Sequence, residues 1–590
     1  MSKTTKKEVG VIVHGNGVGF RVWAPFAQDV SLTGTFNNWV PTTMTNEDDG
    51  YWYLFVDNAQ AGQEYKFVID TGNKQLHRND PRSLQLTTSD GNSVIVDSTF
   101  DWEGDDFVAS PLNQQVIYEL HIGTFNRVDA STIGTFEQAI AKLDYLAGLG
   151  INTIELMPIG CMSMDRGWGY ASDYIYAVES LYGGRHGFLE FVKAAHNRGI
   201  GVTLDVVYNH FGPDEKLDLW QFDGWSEDNK GGIYFYNDWR AKTPWGETRP
   251  DYGRPEVRQY ILDNVRMWLK DCHLDGLRID STIYMRNFNG WNNNPEGDIA
   301  DGWKILQSIT ELSRKIKPDS LLIAEDVSGN EFITKPTTDS GAGFTTQWEV
   351  TFPQILRDVL DAINDNDRHL SALCDELKRN YNGDAFSRVL YSDSHDSAGN
   401  GGVRLNEAIA PGRPESLFAR KRSLLASSIV LTAPGVPMLF QGQEFMQPGS
   451  FNDWQALDWK NAEHFSGIVL ATKHLIALRK NQHGNAKGLS GQSFNIIHSN
   501  EDAKVLAYHR WDQGGAGDDV IIILNFTNQA INDYSINFPQ DGVWKVRFNS
   551  DWKGYGEDFK SHEIDQVSVV NGAGSINIGA YASIILSQDS

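Results

Sequence analysis

His273-Leu-Asp-Gly-Leu-Arg-Ile-Asp280-Ser281-Thr282 is the stretch on which the fold turns. Its apolar, strand-like run carries Arg278 and Asp280 two positions apart, so on a strand both side chains leave the same face. In a parallel barrel such a strand keeps its chemistry at the C-terminal end. A carboxylate held there beside a guanidinium stays ionised and ready to act as a nucleophile. Two other apolar runs carry carboxylates in the same way: Gly199-Ile-Gly-Val-Thr-Leu-Asp205-Val-Val-Tyr-Asn209-His210 and Ser320-Leu-Leu-Ile-Ala-Glu325-Asp326.

From Val116 onward, short apolar runs alternate with helix-length amphipathic stretches, the pattern of parallel β/α units. Strands are predicted at 116–121, 152–157, 200–206, 275–280, 320–325, 344–350, 387–393 and 437–441. Helices are predicted at 135–148, 186–198, 255–271, 302–316 and 415–431. Eight strands in this span predict a (β/α)₈ TIM barrel carrying insertions, the longest over about 207–254. On either side the rhythm shortens to alternating strands, as in Gly19-Phe-Arg-Val-Trp-Ala-Pro25, Asp29–Gly34 and Glu64–Asp70, then Val505–Trp511, Val520–Phe526 and Tyr581–Leu586. The expected fold class is therefore α/β. An N-terminal antiparallel β-sandwich over 1–108 and a C-terminal one over 485–590 flank a barrel over 109–484. Gly514-Gly-Ala-Gly517 is expected to form a hairpin tip in the last unit.

The 590 residues include 51 basic and 77 acidic side chains, a net charge of −26 spread without an acidic tail, which argues against nucleic acid as a partner. Three distant cysteines, Cys161, Cys272 and Cys374, make neither a disulfide framework nor a Cys-rich metal site. The charged N-terminus lacks the apolar core of a signal peptide, and no run has the ~18 apolar residues of a membrane helix. A cytoplasmic location is expected, with no membrane association; the oligomeric state is left open.

Asp205, Arg278 and Asp280, Glu325, and the pair His395 and Asp396 at the end of Arg388-Val-Leu-Tyr-Ser-Asp-Ser394-His395-Asp396 would all reach one barrel rim. Three carboxylates there suit glycosidic bond chemistry, in which one attacks the anomeric carbon and another protonates the leaving oxygen. Each element alone has a structural reading. An Asp beside an Arg also makes a plain ion pair, Asp205 could simply orient Arg278, and His210 or His395 could serve packing. Asn209-His210 lacks clustered partners at metal-ligand spacing, so no metal and no cofactor are expected. The joint, ordered occurrence at strand ends favours the catalytic reading.

Asp205-Val-Val-Tyr-Asn-His210, Gly276-Leu-Arg-Ile-Asp280, Ile323-Ala-Glu325 and Ser394-His-Asp396 resemble, in order, the four motifs of the α-amylase family of glycoside hydrolases and transglycosylases. The resemblance spans nearly the whole chain. It implies a retaining mechanism with Asp280 as nucleophile, Glu325 as general acid/base and Asp396 as transition-state stabiliser. It further implies sugar contacts from His210, Arg278 and His395, and a stacking role for Tyr170 in Gly167-Trp-Gly-Tyr170.

Within the family, Thr35-Phe-Asn-Asn-Trp39, Leu439-Phe-Gln-Gly-Gln-Glu-Phe445, Phe451-Asn-Asp-Trp454 and Asn549-Ser-Asp-Trp-Lys-Gly-Tyr555 are similar to 1,4-α-glucan branching enzymes. Tyr118-Glu-Leu-His-Ile-Gly-Thr124, Asn209-His-Phe-Gly-Pro213, Ala324-Glu-Asp326 and Gly399-Asn400 look like maltooligosyltrehalose trehalohydrolases. Ser281-Thr282 and Asp326 depart from the residues usual in bacterial branching enzymes. The expectation is an enzyme on α-1,4-glucan (glycogen, amylose or maltooligosaccharide), transferring chains to 6-hydroxyls. Its alternatives are trehalose release or other α-glucan hydrolysis, and, outside enzymology, a silent glucan-binding scaffold, against which the three intact carboxylates argue. The loops 207–254 and 281–301 are expected to choose the acceptor. Trp39 suits either the sandwich core or an exposed sugar-stacking position.

Overall fold

The computed structural model describes residues 8–129, 131–162, 166–212, 218–292, 294–560, 562 and 564–589. Pro213 of the Asn209–Pro213 motif, residues 213–217 of the loop 207–254, Asn293 of the loop 281–301, and residues 1–7 lie outside the described residues. Eight parallel strands close into a barrel: β1 (Ile117–Leu120), β2 (Thr153–Leu156), β3 (Gly201–Val206), β4 (Gly276–Ile279), β5 (Leu321–Ala324), β6 (Thr346–Trp348), β7 (Arg388–Leu390) and β8 (Val436–Phe440). The ring shuts where Ile117 of β1 pairs with Met438 of β8. Every residue of these strands is buried, because helices cover the outer face and side chains fill the interior. Register then fixes the site, since Asp205 stands beside Arg278 across the β3–β4 ladder.

The helices follow the predicted spans with two departures. The stretch 135–148 divides into Phe136–Ile140, held by a Thr135–Gln138 capping box, and Leu143–Leu149. The helix expected over 255–271 is α-helical only over Pro255–Arg266 and then widens into a π turn, Met267–Asp271. That wider turn lets the consecutive side chains Met267, Trp268 and Leu269 all be buried. The helix Ala300–Ile316 buries Gly302, Ile305, Leu306, Ile309 and Ser313, a single stripe against the barrel. Leu417–Thr432 is instead buried nearly all round. Its far side is covered by the C-terminal unit, to which Ser428 Oγ (2.8 Å from Ser583 Oγ) and the Thr432 carbonyl (2.8 Å from Arg510 Nη1) are bonded.

The N-terminal unit is a sandwich. One sheet runs in the order Gly10–His14, Gly17–Trp23, Tyr51–Asp57, Thr45–Asn46; the other in the order Thr42–Thr43, Asp29–Gly34, Glu64–Asp70, Gln75–Arg78. Val18, Phe20, Leu32, Trp52 and Phe67 fill its core. Trp39 is 40% exposed and takes no part in that core, because Asn38 and Trp39 lie in left-handed backbone that turns the chain outward. In the C-terminal unit a six-stranded sheet faces the pair Ile531–Asn537 and Ala573–Ile578 across Trp544, Ile521 and Ile584. Residues 514–517 form the predicted tip between Val505–Trp511 and Val520–Asn525, with Asp518 accepting the backbone N–H groups of Asp512, Gln513 and Gly514.

At the N-terminal end of the barrel, a chain of charged groups fastens the linker that leaves the first sandwich. His196 lies between Asp105 Oδ1 (2.8 Å) and Asp275 Oδ2 (2.9 Å), Lys317 reaches Asp275 Oδ1 at 2.5 Å, and His273 reaches Asp105 Oδ2 at 2.6 Å. Burial pushes the Asp275 carboxyl up, but hydrogen bonds from His196 and the charge of Lys317 outweigh it and hold the carboxyl below its usual range. A depressed carboxyl stabilises the fold fully above its unfolded pKa and loses that contribution as pH falls. Asp275→Asn is therefore expected to lower stability by about 3 kcal/mol at neutral pH, with the deficit shrinking below about pH 4. Denaturant melts across that pH range check it, and a deficit independent of pH would count against this role.

Candidate active site

Arg278, completely buried, is the hub of the barrel mouth. Its Nη1 donates to Asp205 Oδ2 at 2.7 Å and to Asp280 Oδ1 at 2.9 Å. Nη2 lies 2.9 Å from Glu325 Oε2. The guanidinium lies 4.3 Å from the centre of the Trp348 ring, so β3, β4, β5 and β6 all meet at one side chain. The planar fork of arginine suits this sharing, which lysine's point charge would not reproduce.

Each carboxylate has its own second support. Asn209 Nδ2 donates to Asp280 Oδ2 at 2.6 Å and to the Asp280 carbonyl at 3.0 Å. Both oxygens of Asp280 are thus engaged, fixing the plane of the group. Glu325 Oε2 also accepts the backbone N–H of Ser281 at 2.9 Å. Burial, with the charges of Asp280 and Asp396 and against that of Arg278, pushes the Glu325 carboxyl up to about 8, so it holds a proton at neutral pH. Burial likewise raises Asp205 to about 6 despite Arg278. Asp205 also accepts the Tyr170 hydroxyl at 2.6 Å, tying the stacking ring to the same hub.

Asp396 stands opposite, its side chain 45% exposed, with His395 Nε2 at 3.3 Å and Asn400 Nδ2 donating at 3.0 Å. Burial would lower His395, but the carboxylates of Asp396 and Glu119 outweigh it and lift the ring to about 9. Glu119 accepts from both the ring Nδ1 and the backbone N–H of His395, the latter at 3.1 Å. Tyr170 stacks on the His395 ring with centroids 5.1 Å apart. His210, lowered by burial to about 4 and so neutral, meets Asn209 Oδ1 at 2.5 Å and stacks on Trp245 at 4.8 Å. The backbone beside the carboxylates is strained: Ser281 and Val327 both have positive φ, uncommon for Ser and an outlier for a β-branched residue.

All eight side chains expected at the mouth, Asp205, Arg278, Asp280, Glu325, Asp396, His210, His395 and Tyr170, are brought together there. Chemically, the arrangement sets a hydrogen-bonded carboxylate beside a protonated acid and under a neutral imidazole. Sequence reasoning passed over Glu119, Trp348, Trp245 and Glu155. Glu119 and Glu155 carried the same signal as Asp205, a lone carboxylate inside an apolar strand, and stand opposite each other across the β1–β2 ladder. Burial and Glu119 hold the Glu155 carboxyl well above its ordinary range. Nothing local marks Trp348 or Trp245, whose roles depend on what folds against them.

Three family models match the chain. "Alpha amylase, catalytic domain" covers residues 120–218 and 213–473, "Carbohydrate-binding module 48 (Isoamylase N-terminal domain)" covers 8–83, and "Alpha amylase, C-terminal all-beta domain" covers 496–589. Among curated proteins, a 1,4-alpha-glucan branching enzyme GlgB from Oceanobacillus iheyensis is 29% identical over 96% of this chain and 89% of its own. A GlgB from Bacillus caldolyticus is 30% identical over 92% of this chain and 83% of its own; GlgB 2 from Xanthomonas oryzae pv. oryzae is 32% identical over 92% and 77%. Among solved structures, a pullulanase complexed with maltotetraose from Anoxybacillus sp. LM18-11 is 21% identical, covers 98% of this chain and 87% of its own, and superposes with a TM-score of 0.76. At that identity the likeness speaks for the fold.

The Glu119–His395 contact yields a direct test. Glu119→Gln is expected to bring the His395 titration down from about 9 toward the ordinary imidazole value. Histidine-selective NMR across pH checks it. A titration left where it was would remove Glu119 from the support of His395.

Proposed function

Because the chain belongs to the α-amylase family, we propose that it is a 1,4-α-glucan branching enzyme, a transglycosylase that cuts an α-1,4-glucan and rejoins the segment to a 6-hydroxyl. The observation that carries the catalytic part is the single guanidinium shared by Asp280 and Glu325. Two carboxyl groups held by one guanidinium suit the paired attack and proton transfer of a retaining glycosidase. The branching part is supported by the curated relatives, which match over nine-tenths of this chain.

In this reading Asp280 attacks the anomeric carbon while Glu325, carrying its proton at neutral pH, gives it to the leaving 4-oxygen. The C1–O4 bond breaks as the C1–Oδ ester forms. Glu325, now a carboxylate, takes the proton of the incoming 6-hydroxyl as that oxygen displaces Asp280. Asp396 and the charged His395 hold the hydroxyls of the reacting ring, Tyr170 stacks on it, and His210 contributes a neutral ring whose Nδ1–H is held by Asn209 Oδ1. Asp205 keeps Arg278 in place. The domains are read as 1–108, 109–484 and 485–590, and the three free, buried cysteines fit a cytoplasmic setting. No helix among the described residues is long and apolar enough to cross a membrane.

Amylose incubated with the protein is expected to lose iodine colour without new reducing ends, which appear only after a debranching enzyme is added. Immediate release of reducing sugar would sink the transferase reading, and trehalose released from a maltooligosyl-trehalose substrate would replace it with hydrolysis.

Glu325 supplies two further expectations. Since the acid must be protonated to act, kcat/KM should fall as pH rises through about 8. A carboxyl raised above its unfolded value keeps a proton that the unfolded chain releases, so it takes stability away as pH climbs from the ordinary Glu range to about 8. Glu325→Gln should therefore lower turnover about 10²- to 10⁴-fold while raising thermal stability at neutral pH. Loss of both activity and stability in that variant would contradict the assignment.

A further inference from the structure

The inside of the barrel is divided between two chemistries. On one side Ile117, Leu321, Ile323, Trp348, Val389 and Met438 pack as an apolar core of their own. On the other, Glu119 stands two residues from Ile117 on β1 and so shares its inward face. Register then sets Glu155 of β2 opposite Glu119, and Thr203 of β3 opposite Glu155, with Asp205 two residues further along the same face of β3. A row of polar side chains therefore crosses three adjacent strands, and all four are buried.

Two of the three carboxyl groups in this row are already engaged. Glu119 accepts from the ring and backbone N–H groups of His395, and Asp205 accepts from Arg278 and Tyr170. Glu155 belongs to the strand between them, and its Oε2 has no hydrogen-bond partner among the described residues. The charges that face it are those of Glu119, Asp205, Arg278 and His395. Ionised, it would add a third buried anion with no donor of its own; protonated, it has one hydrogen to give. Burial and Glu119 favour the protonated form. The acceptor directly across the ladder is Glu119, and a hydrogen bond to a carboxylate is of the stronger kind. Packing alone does not account for a glutamate here, since leucine or methionine fills such a place without burying a polar group.

We propose that Glu155 is a positioning residue of the active site: as a carboxylic acid it gives its hydrogen to Glu119, which in turn holds His395 at the reacting sugar. Donors and acceptors then alternate from the barrel interior to the mouth, with Glu155 donating to Glu119, and His395 facing Glu119 on one side and Asp396 on the other. The inference rests on the retaining-enzyme reading of the mouth.

Glu155→Gln and Glu155→Leu test it in the full chain. Glutamine keeps an uncharged donor in place, whereas leucine keeps the bulk and removes the donor. Turnover on amylose is expected to fall about tenfold in Glu155→Leu, as one hydrogen bond to a charged group is lost, with KM nearly unchanged, and to be largely retained in Glu155→Gln. With leucine beside it, Glu119 loses the donor that favours its charge, so the His395 titration should drop from about 9 toward the ordinary imidazole value. The infrared spectrum of Glu155→Gln at neutral pH should lack one protonated-carboxyl C=O band that the unaltered protein shows. Either an unchanged His395 titration or an unchanged turnover in Glu155→Leu would leave Glu155 a packing residue and overturn the assignment. So would a carboxyl band that survives in Glu155→Gln, or a tenfold loss of turnover there, and both can be read even where the leucine variant fails to fold. Were the unaltered protein to leave amylose unchanged, the proposed reaction would fail on its own, while the infrared band and the His395 titration would still decide the place of Glu155.

Discussion

One guanidinium organises this molecule. Arg278 lies with no exposure to water, a position that would be ruinous for an isolated charge, and it is tolerable because Asp205, Asp280 and Glu325 surround it and Trp348 closes its open face. Those partners come from β3, β4, β5 and β6, so the charge balance at the centre depends on half the barrel being in register. The dependence also runs the other way. With several carboxyl groups competing for one cation, not all can be ionised, and the site settles the excess by keeping a proton on Glu325. The proton on Glu325 follows from its burial, reinforced by the neighbouring carboxylates.

Much of this arrangement was legible in the chain. The period-two spacing of Arg278 and Asp280 and the apolar runs ending in Asp205, Glu325 and Asp396 fix the strand ends, and a barrel brings strand ends together whatever lies between them. The alternation from Gly19 to Asp70 and from Val505 to Leu586 marked the flanking sandwiches for the same reason, since a pleated strand with one wet face must alternate. What was hidden is pairwise. Trp348 beneath Arg278, Glu119 behind His395 and Trp245 against His210 are contacts between residues far apart in sequence, each unremarkable where it stands. The π turn at Met267–Asp271 was hidden too, because a short helical apolar pattern does not distinguish i→i+4 from i→i+5 hydrogen bonding.

The departures Ser281-Thr282 and Asp326 read differently once seen in space. Taken singly they weaken the likeness to branching enzymes. Together, Thr282 and Asp326 are one hydrogen-bonded unit completed by Arg286 and Ser328, and Ser281 supplies the N–H that orients Glu325. These departures thus gather in one hydrogen-bonded unit beside Glu325, while the contacts that hold Asp280, from Asn209 and Arg278, lie outside it. Ser281 and Val327, both with positive φ, flank Thr282 and Asp326 in sequence.

The helix Leu417–Thr432, apolar on both sides, bears on how the chain is made. Its inner face belongs to the barrel, and part of its outer face is covered by the C-terminal strand Ala582–Ser587. A ribosome releases that cover after the whole barrel. Until then the nearly complete barrel holds a helix with an unshielded second face, and β8, which shuts the ring against β1, lies just beyond it. The strand that closes the ring is therefore made well before the sandwich that shields this helix, and in the interval the nascent chain leaves buried surface uncovered.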